Sequence, residues 1–305
     1  MKKMNILKLI ALSLLSTVVL TSCKNSNTFR YEYSEETDSY FVCSDMSLTE
    51  RNTITGTITI PSSYSFKPVS SIAPFSFYEC RLIESFTISE GIKNIESYSF
   101  AKCNSLFSIE LPTSIEKIDS CAFYNSGLLS IYIPKNVSFV GKGAFALCSL
   151  QEIVIDSENE YFVSDENVNA IIYKEDNRLI TGSAKTVIPS YVTKLDDYSF
   201  SGCKGLEEIV IPGNVLEIGA FAFSSCSSLK KINIEEGVRV INANAFSDTN
   251  SLEEINIPNS IEKVLGTFEF GKEVVINFAG TKEQFLKVYS KEITNNINCT
   301  DGIIQ

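Results

Sequence analysis

The apolar positions of the chain recur in a fixed order along most of its length. An aliphatic residue is followed five positions later by phenylalanine in seven pairs: Ile72/Phe77, Ile95/Phe100, Ile118/Phe123, Val140/Phe145, Leu195/Phe200, Ile218/Phe223 and Ile241/Phe246. Successive pairs begin 23, 23, 22, 55, 23 and 23 residues apart. Because self-similarity at a period of roughly 20–50 residues is typical of solenoids, this pattern predicts a stack of similar coils.

Each coil also contains the pattern of a short strand that stops at a proline. Ile209 and Ile211 alternate before Pro212, so their side chains share one face and the proline ends the ladder. A lone coil cannot bury its apolar side chains, whereas coils stacked at about 4.8 Å bury them and pair the strands in parallel. We therefore expect a mostly β solenoid, with a parallel sheet on one face, short strands or 3-10 turns on the other, and an aromatic spine.

The repeated pattern resembles the BspA-like class of leucine-rich repeats found on bacterial surfaces. The pattern LxxIxIPxxVxxIxxxAFxxC is present from Leu206 to Cys226, and the resemblance covers residues 53–290. Residues 56–61 and 279–285 resemble the flanks of the same family, although the family usually has tryptophan where Phe285 stands. The resemblance implies an α/β-type leucine-rich-repeat solenoid that binds other molecules and does not catalyse a reaction.

The first 22 residues have the pattern of a lipoprotein signal peptide. Three lysines precede an apolar run from Leu9 to Leu20, which suits a signal peptide and is short for a membrane span. The segment Leu20-Thr21-Ser22-Cys23 resembles a bacterial lipobox. That resemblance implies cleavage before Cys23, a diacylglyceryl group on its sulfur and acylation of the new amino group. The alternative is an ordinary cleaved signal with an unrelated cysteine.

The remaining boundaries follow from where the repeat is absent. Residues 23–52 are polar and are predicted to form a tether and N-terminal segment, and residues 291–305 a C-terminal tail. The 55-residue interval holds an insert at about residues 156–187. Within it, residues 171–173 and 179–180 flank a polar turn and predict a hairpin. No motif in the insert indicates chemistry, so we expect a structural projection.

The composition limits the possible functions. The formal net charge is −11, and an acidic surface repels phosphate backbones, so nucleic acid is not an expected partner. The chain has no histidine, which removes an imidazole base, nucleophile or metal ligand. It also lacks a Gly-x-Ser-x-Gly motif and a glycine-rich phosphate loop. We therefore predict that the protein is not an enzyme and needs no cofactor or metal.

Adjacent carboxylates are the one arrangement that offers an acid and a base. The pairs are Glu207-Glu208, Glu235-Glu236 and Glu253-Glu254. In principle such pairs could serve in glycoside hydrolysis. They fall at strand ends or on solvent-facing positions, where charge is expected for solubility, and we prefer that interpretation.

Five of the nine cysteines form a second regular series, three residues after the phenylalanine of their coil: Cys80, Cys103, Cys148, Cys203 and Cys226. Ser126 and Thr249 fill the same position in two other coils, which indicates a small side chain in a turn. We predict buried free thiols. Disulfides between neighbouring coils and a metal site are the alternatives. Cys43, Cys121 and Cys299 lie outside the series.

The repeat register also predicts which strand residues point outward. In coil order these are Thr59, Thr87, Glu110, Tyr132, Val154, Val187, Val210, Asn233 and Asn256. Repeat proteins commonly bind partners on the exposed sheet face, and an apolar patch with a polar rim often marks an interface. We therefore predict that Tyr132, Val154, Val187 and Val210 form the centre of a protein-binding strip. The alternative is that valine simply suits a strand.

These observations predict a lipid-anchored protein of the bacterial cell envelope, exposed at the surface, that mediates adhesion or protein–protein interaction. The family resemblance implies host extracellular proteins or other microbial cells as partners. A second hypothesis is an envelope scaffold or an accessory protein that captures glycans. An envelope hydrolase that uses the glutamate pairs is the third.

Overall fold

The computed structural model describes residues 29–165, 167–266, 274–289 and 295–304, so the predicted signal peptide and Cys23 lie outside the described residues. In chain order the elements are β1 (Phe29–Ser34), β2 (Ser39–Ser44), α1 (Leu48–Thr53), β3 (Gly56–Ile60), β4 (Ser63–Tyr64), β5 (Lys67–Ile72), β6 (Ile83–Ile88), β7 (Asn94–Ile95), β8 (Lys117–Ile118), β9 (Ser130–Ile133), β10 (Phe139–Val140), β11 (Glu152–Ile155), β12 (Ala170–Ile172), β13 (Arg178–Gly182), β14 (Lys194–Leu195), β15 (Glu208–Ile211), β16 (Glu217–Ile218), β17 (Lys231–Ile234), β18 (Val240–Ile241), β19 (Glu254–Ile257), β20 (Lys263–Val264), β21 (Val275–Phe278), α2 (Lys282–Val288), β22 (Ile297–Cys299) and β23 (Gly302–Ile304).

The coils stack through two series of parallel strand pairs. We call the first series, which comprises β3, β6, β9, β11, β15, β17, β19, β21 and β22, the exposed ladder, because alternate side chains face solvent. The second series, β5, β7, β8, β10, β14, β16, β18 and β20, is the short ladder. Equivalent repeat positions pair directly, as Ile209 does with Ile232 and Leu195 with Ile218. The predicted mostly β leucine-rich-repeat solenoid is confirmed.

The seven repeat phenylalanines are buried, and their rings form two stacks. In the first stack, from Phe77 through Phe145, successive ring centroids lie 5.4, 5.3 and 5.4 Å apart. In the second stack, Phe223 lies 5.0 Å from Phe200 and 5.7 Å from Phe246. The expected single spine is therefore divided between Phe145 and Phe200, because strand β13 of the insert enters at that point.

The hairpin of the insert lies inside the solenoid, between an N-terminal and a C-terminal core cluster. Strands β12 and β13 pair antiparallel, and β13 also pairs in parallel with β14 of the short ladder. Alternate residues face opposite sides of a strand. Ile171 and Ile180 accordingly pack in the core of the N-terminal half, whereas Ile172 and Leu179 pack in the core of the C-terminal half. The insert is thus not the projection that the sequence suggested, because its hairpin is apolar on both faces.

Both ends of the stack are covered by elements outside the regular repeat. The hairpin β1–β2 occupies part of the predicted tether, and β2 pairs in parallel with β5. Its residue Phe29 packs edge-on against Phe77 at 6.4 Å, so the hairpin closes the open N-terminal end of the core. At the other end, β22 pairs with β21 and β23 with β22, within the predicted C-terminal tail. The described part of the chain contains no helix long and apolar enough to cross a membrane.

Candidate interaction surface

The exposed ladder carries three of the four residues that the sequence assigns to a contact strip. Tyr132 in β9 and Val154 in β11 are paired in parallel register, so their side chains stand beside each other on the outer face. Val210 in β15 pairs with Asn233 in β17. The exposed fractions are 48% for Tyr132, 39% for Val154, 74% for Val187 and 52% for Val210.

The insert divides this strip into two patches. Among the described residues, β11 pairs with β9 alone, and β15 is likewise an edge strand whose neighbour is β17. Val187 lies outside the strands, and no ladder joins it to Val154 or to Val210. The sequence predicts one continuous strip; the structure brings Tyr132 and Val154 together and separates them from Val210. The reason is that the chain enters the insert after β11, so β11 and β15 belong to separate sheets. The coils still touch on the opposite side, where the Leu147 N–H donates to the Ser201 carbonyl at 2.9 Å.

Asn169 of the insert fills part of the gap beside β11. Its Oδ1 accepts a hydrogen bond from the Ile153 N–H at 2.7 Å, and its Nδ2 donates to the Gln151 carbonyl at 3.0 Å. The Thr186 hydroxyl donates to the Asn169 carbonyl at 2.6 Å. The amide of Asn169 therefore replaces the peptide group of a neighbouring strand, and its backbone holds the segment that leads to Val187. Sequence analysis missed this residue, since the repeat does not include it.

A groove of about 690 Å³ follows the same edge of β11. Its lining residues are Leu129, Ser130, Gln151, Glu152, Ile153, Val154, Ile155, Ser164, Asp165, Asn169, Ala170 and Lys185. In a parallel pair, alternate residues bond to opposite neighbours, so Ile153 and Ile155 direct their backbone groups toward the insert. No described residue bonds the Ile153 carbonyl or the Ile155 N–H. A strand edge of this kind can pair with an extended peptide.

Tyr132 is fixed in place by a hydrogen bond along the exposed face. Its hydroxyl donates to Asp156 Oδ2 at 2.7 Å, so the side chain reaches from β9 to the end of β11. This bond raises the pKa of Tyr132 and lowers the pKa of Asp156, to which the Glu158 N–H also donates at 2.9 Å. Asp156 therefore stays ionised at neutral pH, and Tyr132 presents an ordered aromatic surface beside the groove.

The C-terminal half of the exposed ladder carries a row of asparagines. Asn233, Asn256, Asn277 and Asn298 occupy equivalent positions in successive strands. Asn277 donates to Asn256, and Asn298 donates to Asn277, each at 2.9 Å. Sequence analysis placed Asn233 and Asn256 on the outer face but missed the last two, because the final coils depart from the repeat. The outer face thus changes from apolar to amide along the solenoid.

The regular cysteines are buried free thiols. The thiols of Cys103 and Cys226 donate to the carbonyls of Phe77 and Phe200 in the preceding coils, at 3.2 and 3.1 Å. Burial raises the pKa of Cys226 to about 12. A thiolate, which metal binding and nucleophilic attack require, is therefore disfavoured there. Thr249 occupies the same position and donates to the Phe246 carbonyl at 2.7 Å, so the position selects a small hydrogen-bond donor.

The paired glutamates act as surface partners of lysines and backbone groups. Lys230 bonds Glu207 at 2.9 Å and Lys231 bonds Glu254 at 3.1 Å, each between neighbouring coils. Hydrogen bonding to Lys230 lowers the pKa of Glu207, and bonds from Asn256 and Lys231 lower that of Glu254. A general acid in glycoside hydrolysis needs a raised carboxyl pKa, so these shifts run in the opposite direction.

The sequence matches the family model described as the BspA type leucine rich repeat region, in six copies over residues 51–167 and 181–293. No curated protein matches the sequence.

The fold is shared by solved structures, among them the following three. The structure of PcpA, a pneumococcal vaccine antigen, is 18% identical, with a TM-score of 0.58 over 85% of this chain and 81% of that one. A leucine rich cell surface protein from Faecalibacterium prausnitzii is 18% identical, with a TM-score of 0.50 over 90% and 98%. A leucine-rich repeat protein from Eubacterium ventriosum is 20% identical, with a TM-score of 0.50 over 92% and 98%.

Proposed function

Because the chain belongs to the family of BspA-type leucine-rich-repeat proteins, we propose that it is a lipid-anchored surface protein that binds a protein partner and catalyses no reaction. The partner is a host extracellular protein or the surface of another microbial cell. The observation that carries the proposal is the exposed apolar pair of Tyr132 and Val154 beside the groove along β11.

The geometry of this region favours an extended protein segment as the group that is bound. Tyr132 and Val154 offer apolar contact area on the outer face, and aromatic anchors of this kind commonly dominate binding energy. The Ile153 carbonyl and the Ile155 N–H offer backbone hydrogen bonds at the edge. Glu152, a groove residue, is an exposed carboxylate that can orient a basic side chain. Val187, at the end of the insert, and Val210, beyond it, would extend the contact.

Replacement of all four strip residues by serine is expected to weaken binding at least about tenfold, which corresponds to about 1.4 kcal/mol. All four side chains are exposed, so the thermal unfolding midpoint should stay close to that of the wild type. The measurement is binding of the exported part without its acylated Cys23, from residue 24 onward, to purified host extracellular-matrix proteins and to intact microbial cells.

A matched control replaces four other exposed apolar residues by serine: Phe139, Leu216, Leu265 and Leu286. This control should bind like the wild type. Unchanged binding by the strip variant at unchanged stability would remove the strip from the proposal, and equal losses in both variants would point to nonspecific hydrophobic adsorption.

Lipid anchoring is tested at Cys23, because the lipobox resemblance implies that its thiol sulfur carries the diacylglyceryl group. Cys23→Ser removes that thiol, so the protein is expected to leave the membrane fraction for the soluble fraction. Mass spectrometry of the wild-type N-terminal peptide should show the added acyl groups. Cys299→Ser is the control and should remain with the membrane. Membrane association of Cys23→Ser equal to that of the wild type would contradict lipid anchoring at this residue.

A further inference from the structure

Phe66 is the most exposed large apolar side chain in the part of the chain that the structure describes, with an exposed fraction of 108%. It stands at the tip of the two-residue turn between β4 and β5. Ser65 and Phe66 have φ angles of 46° and 65°, the left-handed values that usually favour glycine or asparagine in such turns. A phenylalanine there makes the turn less favourable and buries no surface against the described residues. A contact outside the described fold would offset this cost.

The turn is held firmly against the N-terminal end of the solenoid. Lys67, the next residue, donates to the Tyr33 hydroxyl at 2.6 Å and forms an ion pair with Asp38. Tyr64, on the other side of the turn, stacks on Tyr31 with ring centroids 3.9 Å apart. Phe66 thus projects from an ordered platform of tyrosines on β1 and β4.

This platform is also the part of the described chain that follows the proposed anchor. Six residue steps separate Cys23 from Phe29, so an extended chain between them spans at most about 22 Å. Tyr33, which contacts Lys67, is four residues further along β1, or about 13 Å. If Cys23 carries the acyl chains, the Phe66 turn therefore lies within reach of the bilayer surface.

We propose that Phe66 inserts its ring into the headgroup region of the bilayer and so orients the solenoid on the membrane. The proposal rests on the lipid anchoring of Cys23. Phe, Trp and Leu side chains on a protein surface bury favourably at the boundary between headgroups and acyl chains, and a tethered protein needs little additional affinity to stay there. Insertion is shallow, because the exposed carboxylates of Glu35 and Glu36 lie in the adjacent β1–β2 turn and stay in water. For the same reason the contact is stronger on zwitterionic than on anionic lipid.

The absence of tryptophan from the chain gives a direct test. Phe66→Trp introduces a single indole at the tip of the turn. The control is Phe139→Trp, which places the indole at another exposed phenylalanine, three coils or about 14 Å along the stack. Each variant is produced with its leader, extracted from membranes and reconstituted into phosphatidylcholine vesicles. Mass spectrometry of the N-terminal peptide establishes the acyl groups in each preparation.

In the acylated protein, the emission of Trp in the Phe66→Trp variant is expected to shift to shorter wavelength and to be quenched by brominated lipids. The emission of the Phe139→Trp control, whose indole is partly buried in the protein, should be the same with and without vesicles. Addition of phosphatidylglycerol at low salt should reduce the blue shift.

Water-like emission from Phe66→Trp in acylated, vesicle-bound protein would overturn the Phe66 contact and leave the anchor intact. A preparation without acyl groups would instead overturn the anchor, and this proposal with it. A blue shift that appears without vesicles and grows with protein concentration would show that Phe66 contacts a second copy of the chain, which also overturns the proposal.

Discussion

Replacement of Phe200 by alanine is expected to lower the free energy of unfolding by about 3–5 kcal/mol. Phe200 is fully buried and stacks on Phe223 at 5.0 Å. It is also the first ring of the second stack, where the insert meets the regular coils. The loss of the ring therefore leaves a cavity between the two cores, which neighbouring coils cannot fill without changing their register. Urea unfolding of the exported part, followed by circular dichroism, measures the effect.

Phe107→Ala is the control, because Phe107 is exposed and its removal should change stability by no more than about 0.5 kcal/mol. A second variant tests the contact with the insert. A Cβ on Gly182 would overlap the Phe200 ring, so Gly182→Ala should be destabilising on its own. In the double variant the alanine enters the space that the ring has left, and the combined loss should be smaller than the sum. Strict additivity, or a loss below about 1 kcal/mol for Phe200→Ala, would contradict this account of the junction.

The repeat made the regular coils predictable, because each position in one coil has the same environment as its equivalent in the next. Ile209 and Ile211 therefore indicate both a strand and its inward face, and the structure places them in β15. Segments that depart from the period have no equivalent in another coil, so the environment of their residues cannot be inferred in this way. The alternation of Phe29, Tyr31 and Tyr33 is a strand pattern within a polar segment, but nothing in the repeat indicates that this strand closes the end of the core.

The insert shows the same limit at the candidate site. The apolar runs at residues 171–173 and 179–180 predict a hairpin. The burial of both faces of this hairpin could not be predicted, because it results from the two core clusters that pack on either side. The register predicted that Tyr132 and Val154 stand side by side because their coils are regular and adjacent. It could not predict the break after Val154, since the segment that separates the coils has no equivalent elsewhere. Asn169 bonds the edge of β11 where the ladder ends, so the repeat could not predict its role either.

Asn159 is the polar residue on which the start of the insert depends. It is 1% exposed, and its side chain makes four hydrogen bonds. Nδ2 donates to the carbonyls of Pro134 and Val137 at 2.9 and 3.0 Å, and Oδ1 accepts from the N–H groups of Tyr161 and Phe162 at 2.9 and 2.8 Å. Although the Pro134 carbonyl still accepts from the Val137 N–H at 3.2 Å, Asn159→Ala leaves the Val137 carbonyl and the Tyr161 and Phe162 N–H groups without a partner among the described residues. Since each such group costs about 1–3 kcal/mol, we expect a loss of at least about 3 kcal/mol in urea unfolding.

Two further variants test whether the loss of stability is specific to the Asn159 hydrogen bonds or follows any substitution in the insert. Asn167→Ala, at an exposed position whose side-chain amide bonds Asp165 among the described residues, should change stability by no more than about 0.5 kcal/mol. Asn159→Asp keeps the acceptors but sets a carboxylate against two carbonyls, which raises its folded-state pKa above the unfolded value. Its stability relative to the wild type should therefore be greater at about pH 4 than at about pH 7, since the protonated acid can donate one bond. Equal losses for Asn159→Asp at both pH values would contradict the placement of its carboxylate against the two carbonyls. A wild-type midpoint for Asn159→Ala would show that solvent replaces the amide and that the hairpin is stable without it.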